Sequence, residues 1–208
     1  EFLLAPTKKT KCNLISEKVH GQIFVTGNTV IDAINIYSKI SKQKSKLLIP
    51  STEFILSTLH RAENVDDRKT LSRILKGLIN SNEKIIFPIH PRTKKRLHEF
   101  GFFNKLDQNQ NIQMIDSVGY FEMLELMKNC SFIVTDSGGI QEEATSPIIR
   151  KKVLVVRKTT DRPESVENQL AEIVGLNEKN ITNSIKKTMK NPKLHSKKTP
   201  FGKGDASE

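Results

Sequence analysis

The sequence predicts an α/β protein with a doubly wound parallel sheet. Short apolar runs alternate with longer helical segments along almost the whole chain, and this alternation is typical of βαβ units. Clusters of polar residues follow directly after several of the apolar runs. Right-handed crossovers bring the carboxyl ends of such strands to one edge of the sheet, so we expect any ligand to bind there.

Seven short apolar runs are predicted as strands, because each is rich in β-forming residues and is bounded by polar or turn-forming residues. The predicted strands are 22–25, 53–59, 84–89, 111–115, 131–134, 153–156 and 171–174. Strands of this length and apolar content are expected within a parallel sheet that is buried on both faces.

Six helices are predicted, five between these strands and one after the last of them. In residues 66–79, the side chains of Leu71, Ile74, Leu75 and Leu78 recur at spacings of three and four, which places them on one helix face. Residues 121–127 repeat that pattern. The other predicted helices are 93–100, 138–144, 163–167 and 178–189, whereas the Lys- and Ser-rich residues 40–50 are predicted to form a surface loop.

One domain accounts for most of the length. With 208 residues, of which 36% are hydrophobic, the chain can build one large packed core. We expect residues 21–190 to form the α/β domain, and residues 1–20 to be a helical connector that arrives from something upstream. Residues 191–208 are predicted to be a C-terminal segment that leads into a truncated helix.

Composition argues against several classes of protein. No apolar run approaches the ~20 residues that a membrane-spanning helix needs, and we expect no secretory signal. Cys12 and Cys130 lie far apart, so free thiols in a reducing, cytoplasmic compartment are expected. No set of His, Cys, Asp and Glu has zinc spacing, and neither a P-loop nor a serine nucleophile elbow occurs.

The formal net charge of +11 raises the question of an anionic partner. Nucleic acid is disfavoured, because the basic clusters are scattered, aromatic residues rarely accompany them and no nucleic-acid motif occurs. Solvated faces account for most of these clusters. A smaller anion, such as a nucleoside diphosphate, would also benefit from the positive charge.

A glycine-rich turn follows the predicted strand 131–134 in the segment TDSGGIQEEA, residues 135–144. Ser137, Gly138 and Gly139 would open a helix whose first backbone N–H groups face a phosphate. A tight turn without a ligand is the alternative interpretation. Of Glu142 and Glu143, one could act as a capping group while the other accepts hydroxyl groups of a ligand.

A second polar cluster follows the strand 53–59. His60 stands beside Arg61, Glu63 and Asn64, and this setting suits proton transfer or phosphate binding. His90, after the strand 84–89, is as consistent with a hydrogen bond to the backbone as with a ligand contact.

A third cluster occupies residues 157–164. Arg157 and Arg162 bracket two threonines just before Pro163, so both guanidinium groups are predicted to face the rim and to bind pyrophosphate. The alternative is a helix cap in which Arg162 pairs with Glu164 or Glu167.

Five motifs together resemble those of the non-hydrolysing UDP-N-acetylglucosamine 2-epimerases. They are VTGNTVID (25–32), LHRAEN (59–64), PIHP (88–91), TDSGGIQEEA (135–144) and VVRKTTDRPE (155–164). The resemblance covers nearly the whole chain, in order and in spacing. It implies the C-terminal, Rossmann-like, UDP-binding half of a GT-B architecture, in which two such domains hold a nucleotide sugar between them.

The resemblance also implies a reaction. Members of the family interconvert UDP-GlcNAc and UDP-ManNAc by anti elimination of UDP to a glycal and its re-addition, without a redox cofactor or a metal. They are commonly homodimers. The family supplies acidic residues for acid/base work from the N-terminal domain, which this chain lacks, so the chain alone is expected to be inactive or nearly so.

Roles for single residues follow from the same resemblance. His60 would be catalytic, near the sugar and the departing phosphate. The substrate-binding residues would be Ser137, Gly138 and Gly139 at the diphosphate, Glu143 at the ribose, Arg162 at a phosphate and Met123 near the uracil. Arg61, Asn64 and His90 would contact the substrate or a second, regulatory UDP-GlcNAc.

The chain departs from the pattern of the family at three places within the matched length, of which one is the unusual sequence of the loop 146–150. Met123 stands where an aromatic side chain is common, so weaker stacking on the base is expected. Residues 166–170 lack a glycine that the family usually has there, so the backbone conformation of this segment does not follow from the resemblance. The alternative functions are a non-catalytic UDP-sugar-binding module or partner subunit, and a GT-B glycosyltransferase domain.

Overall fold

A central sheet of six parallel strands organises the computed structural model, which describes residues 1–208. Two further parallel strands form a separate small sheet at the start of the chain. In chain order the elements are β1 (Phe2–Ala5), α1 (Lys8–Ser16), β2 (Gln22–Val25), α2 (Thr29–Lys44), β3 (Ile55–Thr58), α3 (Ala62–Val65), α4 (Arg68–Ile79), β4 (Ile85–Ile89), α5 (Pro91–Glu99), α6 (Phe103–Asp107), β5 (Ile112–Asp116), α7 (Tyr120–Asn129), β6 (Ile133–Thr135), α8 (Gly138–Glu143), β7 (Val153–Val155), α9 (Pro163–Glu167), β8 (Ala171–Ile173) and α10 (Glu178–Lys190).

The strand order of the central sheet is β5-β4-β3-β6-β7-β8. The chain first moves outward from β3 to β5, and then returns to place β6 on the other side of β3, with Thr58 beside Thr135. From β6 it moves outward in the opposite direction. The reversal opens a crevice at the carboxyl ends of β3 and β6, where ligands bind in sheets of this kind.

Apolar layers cover both faces of the sheet. On one face, α4 and α10 pack over a core cluster of 20 buried residues. Gly77 allows these two helices to approach closely, because an added Cβ would lie only 2.8 Å from the Cβ of Ile181. On the other face, α2 and α7 pack over a second cluster of 16 buried residues. The predicted doubly wound α/β fold is confirmed.

All seven predicted strands and all six predicted helices are present, with ends that differ by no more than two residues. The strand β2 pairs with β1 and not with the central sheet, however. Four elements were not predicted: the strand β1, the helix α2 and the short helices α3 and α6.

The prediction of a loop at residues 40–50 is wrong for its first part, because α2 continues to Lys44. Asn28 caps this helix by accepting a hydrogen bond from the backbone N–H of Val30 at 3.0 Å. Ser41 is fully buried and donates to the Glu125 carboxylate on α7. Packing against α7 thus holds a polar sequence in a helix, which its composition alone did not indicate.

The two ends of the chain also differ from expectation. Residues 1–20 contain the strand β1 as well as the expected helix. Residues 191–208 contain no helix; Phe201 is buried as an anchor, and Gly202 and Gly204 take positive φ values of 102° and 95°, which favour turns. None of the helices has the length and apolar content needed to span a bilayer.

Candidate functional site

Asp136 lies at the centre of the crevice, directly after β6, and is completely buried. Its carboxylate accepts hydrogen bonds from the backbone N–H groups of His60 at 3.1 Å and of Arg61 at 3.0 Å. The side-chain amide of Asn64 donates a third at 3.1 Å. A buried carboxylate is tolerated only with such partners, so Asp136 holds the loop after β3 against the end of β6.

His60 stands over this carboxylate with its side chain 35% exposed. Its Nδ1 lies 3.4 Å from Asp136 Oδ1, and its ring centroid lies 5.6 Å from that of His90. Burial lowers the pKa of His60; the Asp136 carboxylate opposes this effect, and the charges of His90 and Arg61 reinforce it. A neutral imidazole that carries its proton on Nδ1, toward Asp136, leaves Nε2 able to accept a proton from a ligand.

Asn64 and His90 differ in their exposure to solvent. Asn64 is fully buried, and its amide also donates to the carbonyl of Val156 at 2.8 Å, so it lies beneath the rim and connects two strand ends. His90 is exposed and caps α5, since its Nδ1 accepts from the backbone N–H of Arg92 at 3.2 Å. Only His90 of these two remains open to a ligand in this arrangement.

Two guanidinium groups lie over Gly138, which is buried. A methyl group added at Gly138 would lie 3.6 Å from Arg61 Nη2 and 3.8 Å from Arg162 Cζ, both ordinary van der Waals distances. Arg61 donates to Asp161 at 2.8 Å, and Arg162 pairs with the Glu142 carboxylate. The two arginines therefore hold positive charge at the start of α8, each with a carboxylate partner that is already present.

Ser137 begins α8 as its N-cap. Its hydroxyl accepts from the backbone N–H of Ile140 at 3.4 Å, and its own backbone N–H donates to the hydroxyl of Thr135 at 2.9 Å. Neither Gly138 nor Gly139 has a positive φ, so no turn geometry demands glycine at these positions. Gly139 is exposed, whereas Gly138 is buried, so of the two only Gly139 leaves the first helical turn open to solvent.

The two glutamates at the end of α8 have different surroundings. Glu142 is buried, accepts from the side-chain amide of Asn28 at 2.9 Å and pairs with Arg162. Glu143 is half-buried and makes no side-chain hydrogen bond or ion pair. Burial, together with the nearby charge of Glu142, raises the pKa of Glu143 to about 7. Of the two, Glu143 is therefore the carboxylate that is available to the hydroxyl groups of a ligand.

Two tyrosines on α2 and α7 contact each other, and the sequence patterns did not reveal this pair. Burial raises the pKa of Tyr120 to about 12, and the charge of Glu143 contributes to this rise. The ring of Tyr37 contacts that of Tyr120 edge to face, with centroids 6.0 Å apart. Met123 lies one helical turn after Tyr120 and is half-buried against the second core cluster. The spacing of three residues between Tyr120 and Met123 was the available signal.

Arg157 is turned inward, so the prediction that its guanidinium group faces the rim is wrong. Its side chain is only 7% exposed. It donates to Glu63 at 3.0 Å and to both carboxylate oxygens of Asp161 at 2.9 Å and 3.2 Å. These contacts use the donors of the guanidinium group inside the protein. Arg162 stays at the rim, although its partner is Glu142 and neither of the glutamates on α9.

No group of three His, Cys, Asp or Glu side chains is arranged to hold a metal ion. Cys12 is exposed and Cys130 is buried in the second core cluster, and the two thiols are not bonded to each other. The site therefore consists of two arginines, two histidines, a helix start and a carboxylate of raised pKa. These groups can bind an anion, accept hydroxyl groups and move a proton.

Comparison with known sequences gives one consistent result. The family model for UDP-N-acetylglucosamine 2-epimerase matches residues 1–208. The UDP-N-acetylglucosamine 2-epimerase of Methanocaldococcus jannaschii is 41% identical over 218 residues, which cover 100% of this chain and 58% of the relative. That of Methanococcus maripaludis is 39% identical over 219 residues, which cover 100% of this chain and 59% of the relative.

Solved structures agree with the sequence comparison. The Methanocaldococcus jannaschii UDP-GlcNAc 2-epimerase in complex with UDP-GlcNAc and UDP matches with a TM-score of 0.89 and 41% identity, covering 100% of this chain and 59% of that one. The Neisseria meningitidis enzyme bound to UDP-GlcNAc matches with a TM-score of 0.81 and 32% identity, covering 98% and 58%. The predicted half of a GT-B architecture is confirmed, and the chain spans less than three fifths of the length of these relatives.

Proposed function

Because the chain belongs to the UDP-N-acetylglucosamine 2-epimerase family, we propose that it is the UDP-binding half of an enzyme that interconverts UDP-GlcNAc and UDP-ManNAc. The reaction would proceed by anti elimination of UDP to a glycal and its re-addition. No redox cofactor or metal takes part in this scheme.

The observation that carries the proposal is the pair of guanidinium groups around Gly138. Arg61 and Arg162 both come within 4 Å of the position that a Cβ would take at Gly138, at the start of α8. A diphosphate at this point would accept hydrogen bonds from the backbone N–H groups of Gly138 and Gly139 and from the Ser137 hydroxyl. As the bond between C1 and the diphosphate oxygen breaks, the arginines would stabilise the charge that develops on UDP.

The remaining residues would hold the two ends of the nucleotide sugar. Glu143 would accept the ribose hydroxyl groups, and Met123, together with Tyr120, would lie near the uracil. His60 would act near the sugar and the departing phosphate, with Nε2 as its reactive atom. Arg61 and His90 would bind either the substrate or a second, regulatory UDP-GlcNAc, while the buried Asn64 would support them from below.

Part of the proposed reaction needs groups outside this chain. Removal of the C2 proton needs carboxylates that we assign to the remaining two fifths of the relatives' length, so the chain alone would bind UDP without turnover. A complete protein would be a homodimer in the reducing cytoplasm.

Calorimetry with UDP tests the binding site directly. We expect Arg162→Ala to weaken UDP binding by about 1–3 kcal/mol, the usual contribution of a charged hydrogen bond. The control is Arg73→Ala, which removes an exposed arginine on the outer surface of α4 and should leave the dissociation constant unchanged. An equal effect of the two substitutions would show that the diphosphate binds elsewhere.

A further inference from the structure

Gln141 connects two segments of the chain that carry the proposed UDP site. This residue of α8 is completely buried. Its side-chain Nε2 donates to the carbonyl of Ser137 at 3.1 Å. Its Oε1 accepts from the hydroxyl of Thr160 at 2.6 Å and lies 3.5 Å from the hydroxyl of Ser165. The buried amide is therefore satisfied at both ends, by the start of α8 on one side and by the segment 160–165 on the other.

The segment 160–165 passes this contact on to the backbone of Arg162. The Thr160 hydroxyl, which donates to Gln141, also accepts from the backbone N–H of Arg162 at 3.0 Å. The carbonyl of Arg162 accepts from the hydroxyl of Ser165 at 2.7 Å and from its backbone N–H at 3.1 Å. The backbone of Arg162 is thus bonded on both sides to residues whose hydroxyl groups lie at one buried amide.

Arg162 depends on this support because it lies outside the regular elements. It directly precedes α9, and its own side chain does not cap that helix. Its guanidinium group nevertheless reaches α8, with Cζ 3.8 Å from the position of an added Cβ at Gly138. A side chain that binds a ligand must be held within about 0.5 Å of its productive position, and hydrogen bonds to its supporting residues provide this precision.

We propose that Gln141 and Thr160 are positioning residues for the binding of the diphosphate. Neither contacts the ligand. Together they fix the backbone of Arg162 relative to α8, so that the guanidinium group meets a phosphate in a defined place. The inference rests on the proposed function, because it takes Arg162 as a phosphate ligand. A purely structural role would instead lower the free energy of unfolding and leave the affinity for UDP unchanged.

The test compares three threonine variants by calorimetry with UDP. Thr160→Val keeps the shape of the side chain and removes its hydroxyl, so we expect the dissociation constant to rise about five- to tenfold, as for the loss of a neutral hydrogen bond. Thr160→Ser retains the hydroxyl and should bind UDP within about twofold of the unsubstituted chain. Thr159→Val is the matched control, because Thr159 is the exposed neighbour, and it should have no effect.

A double-mutant cycle shows whether the Thr160 hydroxyl acts through Arg162. In a chain that already carries Arg162→Ala, Thr160→Val should change the dissociation constant by less than about twofold. An equal effect of Thr160→Val in both backgrounds overturns the proposal. So does an unchanged affinity of the Thr160→Val chain while Arg162→Ala weakens binding. If Arg162→Ala itself has no effect, the proposed diphosphate site has failed, and the two failures are thereby distinguished.

Urea denaturation shows which variants are folded. Should Thr160→Val not fold, Ser165→Ala takes its place in the cycle, because it removes the hydroxyl bond to the Arg162 carbonyl and keeps the backbone bond. We expect Ser165→Ala to raise the dissociation constant for UDP about threefold, and to have no effect in the Arg162→Ala background. An unchanged affinity of the Ser165→Ala chain would then contradict the proposal.

Discussion

The polar residues at the crevice form two layers that differ in the partners they use. The lower layer, Asp136, Asn64 and Arg157, is buried, and its members bond to the protein itself. The upper layer, His60, Arg162 and Glu143, is half-exposed. Arg162 has one carboxylate partner and Glu143 has none.

This difference separates residues that build the crevice from residues that are free to bind. Arg157 and Arg162 are five positions apart and look alike in sequence, but only the second can exchange its partner for a ligand. Substitutions in the lower layer should therefore change the free energy of unfolding, whereas those in the upper layer should change UDP affinity.

Asp136→Ala should have the largest effect. The substitution leaves the N–H groups of His60 and Arg61 and the amide of Asn64 without their acceptor, so we expect the free energy of unfolding to fall by roughly 3–5 kcal/mol. Urea denaturation measures it. Asp116→Ala is the control, because that carboxylate is 83% exposed and pairs only with Lys94. If both variants lose the same stability, Asp136 does not hold the crevice together.

Arg157→Ala should come next. It removes a side chain that bonds to Glu63 and Asp161, and we expect a loss of about 2 kcal/mol in the free energy of unfolding. The dissociation constant for UDP should change less than about twofold, in contrast to that of Arg162→Ala. The division into two layers fails if both arginine variants weaken UDP binding equally, measured side by side by calorimetry.

Glu143→Gln should give a smaller effect that depends on pH. The pKa of Glu143 is about 7 in the folded chain, against 4.5 for an ordinary glutamate, so the folded state binds more protons between these values. Its stability then falls as the pH rises through this window. Glutamine does not titrate, so the variant does not lose stability in this way. We expect the substitution to raise the free energy of unfolding of the ligand-free chain by roughly 1–3 kcal/mol at pH 8 and to leave it unchanged below pH about 4.5.

The same substitution should weaken UDP binding, because glutamine replaces the carboxylate that would accept the ribose hydroxyl groups. Thermal unfolding at the two pH values and calorimetry measure the two effects. Glu53→Gln, at an exposed position, should show neither. A gain in stability that is the same at both pH values would contradict the raised pKa.

Gln169→Gly should give the smallest effect. Gln169 is exposed and has a φ of 60°, the left-handed conformation that glycine adopts without strain, and it lies in the segment where the family usually has a glycine. We expect a gain of about 0.5–1 kcal/mol in the free energy of unfolding, once the flexibility of glycine in the unfolded chain is subtracted. Asn82→Gly, at a φ of 59°, should gain less, because asparagine tolerates this conformation. Urea denaturation compares the two.

Most of the fold could be predicted because apolar periodicity reports burial directly. The run 131–134 and the spacing of Leu71, Ile74 and Leu75 each placed an element within two residues of its position. The parallel arrangement then placed His60 and Asp136 at the same edge of the sheet without any knowledge of contacts.

The features that the sequence did not predict depend on contacts between residues that are distant in the sequence or are brought together by a loop. The end of α2 is held by the bond from Ser41 to Glu125, and no local pattern indicates that pair. Arg157 is turned inward because residues 157–161 fold back and bring Asp161 beneath its guanidinium group. Local propensity cannot distinguish an arginine whose guanidinium donors all bond within the protein from one that can bind a ligand.

We propose that this chain binds UDP and becomes catalytic only together with the part of the relatives that it does not match. The most direct test incubates the chain with UDP-GlcNAc in deuterated water, with and without the unmatched part of the Methanocaldococcus jannaschii relative, using the intact relative as the positive control. We expect deuterium at C2 of the sugar only when both parts are present. Absence of deuterium under both conditions, while the intact relative exchanges, would contradict the account and leave the chain as a non-catalytic UDP-sugar-binding module.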